Sequence, residues 1–86
     1  MYGFTSQMRR ACASVPTNIA EGCGRNSDAE LARFLDISMG SASEWEYLLL
    51  LTRELNLIKS TDYTELTSEV VEIKRMLASF IKKLRN

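Results

Sequence analysis

The 86-residue sequence predicts an all-α bundle, and three observations carry that prediction. Apolar residues recur at steps of three and four along most of the chain, the period of a helix face. There is one proline, and no alternating apolar–polar run long enough to make a strand. Two short breaks, GCGRNS at 22–27 and the segment after Leu55, divide the chain into helices over about 5–22, 28–55 and 61–84. This length supports one domain.

In the first helix Met8, Ala11, Cys12, Val15, Ile19 and Cys23 form one apolar face. Pro16 interrupts it, removing a backbone donor and pressing its ring against the carbonyl of Cys12. The expected result is a kink at Pro16, with Ser14, Thr17 and Asn18 at hand to satisfy freed backbone groups. The glycines of GCGRNS are expected to end the helix in a left-handed conformation. Ser27 and Glu30 then form a capping box for the second helix.

The second helix carries two apolar stripes. Leu31, Leu35, Ala42, Trp45 and Leu49 make one, and Phe34, Ile37, Leu48, Leu51 and Leu55 make the other. The run Leu48–Leu51 covers the whole circumference, and a helix apolar all round needs burial all round. Two neighbouring helices cannot supply it. Phe34, Ile37, Leu48 and Leu51 are therefore expected at a subunit interface. Between the stripes, SMGSAS at 38–43 reads as a place where small residues, Gly40 among them, admit a neighbouring backbone. Asn56 is expected to act as the left-handed residue closing the helix. In the third helix Tyr63, Leu66, Val70, Ile73, Leu77, Phe80 and Leu84 are spaced three and four apart, a seam for near-parallel packing and an expected core.

Composition narrows the function. Eleven basic and eleven acidic residues cancel, so no global field draws the chain to nucleic acid. The charges are segregated, however. Residues 60–73 carry Asp62, Glu65, Glu69 and Glu72 with no base, and residues 74–86 carry five bases with no acid. Cys12 and Cys23 lie about 16 Å apart along one helix, too far for a disulfide. They are expected to be small core residues, reduced in a cytoplasm. There is no histidine and no CxxC, so neither a metal site nor any other cofactor is expected. The absence of histidine also removes the usual general base, and Glu44 and Glu46, two apart, point to different sides of a helix. No enzyme is expected. The longest apolar run, YLLLL at 47–51, is far too short for a membrane span, and no secretory leader is evident, so the chain is expected to be cytoplasmic.

The run TSQMRRACASVPTNIAEGCGR, followed by ELARFLDISMGSASEWEYLLLL, resembles the bacterial proteins named after intervening sequences in 23S rRNA genes. The same superfamily includes the accessory variability protein of diversity-generating retroelements. The resemblance covers essentially the whole chain. It implies an antiparallel up-and-down bundle, a homopentamer and no known enzymatic activity. It also implies a long helix before the segment matching Tyr2–Arg10; the three helices here thus resemble a four-helix bundle lacking its first helix.

Two functions stay open. In the first, an oligomeric scaffold binds RNA or a ribonucleoprotein through Arg9, Arg10, Arg25, Lys82 and Lys83, since arginines neutralise phosphates and stack on bases. Arg25 has a competing use as an i,i+4 partner of Glu21. In the second, the chain is an adaptor that docks a protein partner, for example a reverse transcriptase, without touching nucleic acid.

Overall fold

The computed structural model describes residues 2–86 as three helices: α1 (Tyr2–Cys23), α2 (Asp28–Glu54) and α3 (Ser60–Arg85). As α1 advances from Ser14 to Gly22, its partners on α2 retreat from Ser41 to Leu31, so the two are antiparallel. Glu46 meets Lys74 and Asp36 meets Arg85, so α3 is antiparallel to α2. Hence α1 and α3 run parallel. Both pack on α2, and among the described residues no Cα of α1 comes within 8 Å of one in α3. The Cα trace measures 44 × 23 × 13 Å. It is an open trough with α2 at its base.

The helix ends follow local chemistry. Ser27 Oγ accepts from the Glu30 backbone N–H at 3.2 Å, the first half of the capping box. Asn56 has φ 59°; its N–H donates to Arg53 O and that of Leu57 to Thr52 O, the paired bonds of a Schellman end. The end of α1 differs from expectation, because no glycine there has positive φ. Gly22 serves packing instead. A Cβ on it would lie 2.9 Å from Phe34 Cβ and from Leu31 Cδ1, so its missing side chain lets the last turn of α1 close on the first turn of α2. Gly40, expected to admit a neighbour, has nothing within 4 Å of a Cβ position and is exposed. The inward small residues of that segment are Ser38 and Ala42.

The core gathers Val15, Ala42, Leu49 and Val70, with Met8, Ile19, Trp45, Leu66 and Ile73 packed around them. Beside it runs a polar seam. Fully buried Ser38 donates to Val15 O at 2.8 Å, Ser41 Oγ donates to Ser14 Oγ at 2.8 Å, and the Asn18 amide donates to Ser14 O and Oγ at 2.9 Å. These bonds fix the register of α1 on α2, because a shift by one residue would strand buried polar groups. Helix α1 stays unbroken through Pro16. Side-chain donors serve the carbonyls of Ala13, Ser14 and Val15, supplied by Thr17, Asn18 and Ser38. Pro16 and Cys12 are both exposed, so the carbonyl deprived of its donor lies on the open side of the helix.

Burial corrects three further expectations. Phe34 and Leu48 are buried within the protomer and present no surface to another subunit; of the four residues assigned to an interface, Ile37 is exposed and Leu51 half-buried. The reason is that α1 and α3 clasp α2 from two sides and cover Phe34 and Leu48, leaving Ile37 and Leu55 of that stripe exposed. Cys12 and Cys23 are exposed free thiols, outside the core. Phe80, at the end of the α3 seam, is 46 % exposed because no helix stands opposite it.

Candidate interaction site

Where α1 and α3 diverge, they leave an apolar groove. Val15 and Leu77 are buried in its wall, and Trp45 from α2 forms the floor. Cys12, Pro16 and Ile19 edge it on α1; Ile73, Met76 and Phe80 edge it on α3. The central hollow has a volume of about 500 Å³. It continues past Trp45 along Met8 and Arg9 toward Thr52 and Leu57. The sequence placed Met8, Cys12, Val15, Ile19, Trp45, Ile73, Leu77 and Phe80 on apolar faces, but gave no such place to Met76 or Leu57. It could not show that one quadrant of the bundle is vacant.

The groove's charges lie on its rims. Glu69 and Glu72 sit beside Trp45 and Ile73, and Lys83 sits beside Met76 and Phe80. Glu72 is held by Arg75 through two-pronged hydrogen bonds, which raise the guanidinium's pKa above its ordinary value.

The five basic residues assigned to nucleic acid do not form one patch. Arg9 borders the groove, whereas Arg10 turns to the opposite side of α1, beside Gln7, Ser41 and Glu44. Arg25 pairs with Glu21 at 2.9 Å, and its guanidinium lies 4.8 Å from the Phe34 ring centroid; Arg33 covers the same ring at 4.7 Å. The two arginines thus clamp Phe34 at the α1–α2 corner, a cation–π use rather than a free phosphate site. Because α1 and α3 are parallel, Lys82 and Lys83 lie at the end of the trough opposite Arg9 and Arg10. The separation along the axis is about 20 Å.

Among the described residues, no cluster of His, Cys, Asp or Glu could hold a metal ion, and no helix is long and apolar enough to cross a membrane. Among the described residues that line the groove there is no nucleophile–base pair.

Comparison with known proteins gives a consistent picture. The family model of the 23S rRNA-intervening sequence proteins matches residues 1–79. Among solved structures, the chain is similar to a protein of unknown function from the S23 ribosomal protein family of Bacteroides thetaiotaomicron. The TM-score is 0.89 at 30% identity, over 92% of this chain and 70% of that one. No curated protein matches the sequence.

Proposed function

Because the chain belongs to the 23S rRNA-intervening sequence protein family, whose solved relative shares its helical fold, we propose that it is a non-enzymatic assembly module that associates through the groove between α1 and α3. One observation carries this reading. Trp45, Met76 and Phe80 line a single continuous apolar hollow, and exposed apolar surface gathered in one place marks an association site. Helix-in-groove association buries that surface. The oligomer implied by the family resemblance, and a protein partner, both act through the same face.

Trp45 supplies the test. Association that covers the floor shifts its emission to the blue, and dilution reverses the shift. Light scattering at micromolar concentration gives the mass in parallel. A stable monomer with dilution-independent emission refutes the proposal.

A second reading, phosphate binding, is favoured by a separate observation. Arg9, Arg10, Lys82 and Lys83 are exposed and have no ion partner among the described residues. Split between two ends in one protomer, they become multivalent only in an assembly. RNA affinity falling steeply with salt, with a shallower slope after Arg9→Gln/Arg10→Gln, is the expected signature. Absence of binding at low salt and micromolar protein removes this reading and leaves the first. A cytoplasmic setting suits both.

A further inference from the structure

We propose that α3 is a hinged arm, which leaves α2 as a unit about the turn at residues 55–59 while α1 and α2 stay closed on each other. The proposal concerns movement within one protomer and stands apart from the assembly reading.

The two helix pairs are fastened differently. Helix α1 is held to α2 from inside. Fully buried Ser38 donates to Val15 O at 2.8 Å, and Ser41 Oγ donates to Ser14 Oγ at 2.8 Å. Gly22 lets the two helices interlock at Leu31 and Phe34. Across the α2–α3 contact the polar ties are ion pairs instead. Lys74 Nζ donates to Glu46 at 2.8 Å, and Arg85 donates to Asp36 at 2.6 and 3.2 Å. The Asp36–Arg85 pair is half-exposed, and such pairs contribute little in water. Among the described residues α3 packs on no helix but α2.

One group opposes the docked state. Thr67 Oγ1 is buried and finds no hydrogen-bond partner among the described residues. Thr67 stands four residues after Tyr63 and three before Val70, on the α3 face that meets α2. Docking α3 therefore takes this hydroxyl out of water, and opening returns it.

The connection suits a hinge. Asn56 turns the chain with φ 59°, and Lys59 gives α3 no side-chain cap, whereas Ser27 caps α2. Opening uncovers Trp45 and Leu49 of α2 and frees a helix whose acidic and basic halves are separate. The α3 wall of the groove is thus movable, and the groove's width follows the angle of α3.

Amide hydrogen exchange in the intact 86-residue chain, followed by NMR at one fixed protein concentration, tests the arm. Amides at 66–81 of α3 should share one opening. Relative to their unfolded rates, they should exchange at least about tenfold faster than those at 38–49 of α2 and 11–19 of α1. Thr67→Val should slow α3 exchange about tenfold by removing the stranded hydroxyl. Asp36→Arg should speed it about fivefold by setting like charge against Arg85, and Asp36→Arg/Arg85→Asp should restore it. None of these variants should change exchange at 11–19 of α1. Equal protection in all three helices, or variants that shift α1 and α3 by the same factor, would mean one cooperative unit and overturn the arm. So would α3 exchange that Thr67→Val fails to slow.

Discussion

Gly22 and Gly40 both lie inside helices, yet alanine at the two positions should act with opposite sign. At Gly40 a new Cβ meets nothing within 4 Å. The substitution then acts through helix propensity alone, and replacing glycine by alanine mid-helix stabilises by about 1 kcal/mol. In a chain of this size that raises the melting temperature by about 4–8 °C. At Gly22 the Cβ would stand 2.9 Å from Leu31 Cδ1 and 2.9 Å from Phe34 Cβ. The leucine methyl can swing away. Phe34 Cβ cannot, being fixed to the α2 backbone, so the two helices must part. Overpacking of this kind costs about 1–3 kcal/mol. The propensity gain is small in the last turn, where Gly22 sits. The net expectation is destabilisation by about 1–2 kcal/mol, with loosening of the Arg25–Phe34–Arg33 clamp beside it. Thermal and urea unfolding followed by circular dichroism at one fixed protein concentration measures both variants, the concentration being held because association shifts apparent stability. If Gly22→Ala melts at or above the parent temperature, the close approach of α1 and α2 is not what requires this glycine. If Gly40→Ala does not stabilise, that face of α2 is occupied in solution.

Two other outcomes follow from burial and charge. Leu48→Asp should unfold the protomer, since an unpaired carboxylate at a 5% exposed site costs more than about 4 kcal/mol; Ile37→Asp should leave the circular dichroism spectrum intact and cost about 1 kcal/mol. Equal loss of helix in both would contradict the packing of α2. Asp36 accepts two hydrogen bonds from Arg85, which hold its carboxyl below the ordinary carboxylate range, with the guanidinium's charge adding to the effect against slight desolvation. A depressed folded-state pKa stabilises above the unfolded value of about 3.9 and loses that contribution as pH falls through the folded value. Acid unfolding of Asp36→Asn should therefore be less steep below about pH 4 than that of the parent. Identical acid limbs would show that the α2–α3 tie contributes nothing.

The three helices were legible in the sequence because their causes are local. A 3.6-residue period, Ser27 before Asp28, and Asn56 with its tolerance of positive φ act within a few residues of where they are written. The pairing of Arg25 with Glu21 was legible for the same reason. What the sequence could not determine was which apolar face meets which neighbour. Leu48 and Phe80 read alike, as members of apolar stripes, yet one is sealed between helices and the other stands at an open edge. Gly22 read as a helix-ending residue and Gly40 as the packing one, and only the approach of α1 to α2 shows that Gly22 packs while Gly40 is free. The basic residues likewise looked like one patch until the parallel run of α1 and α3 sent Arg9 and Lys83 to opposite ends. Periodicity records that a face is apolar, whereas burial depends on the position of helices distant in sequence. The trough, with Trp45 at its floor, exists only because α1 and α3 both pack on α2 and not on each other.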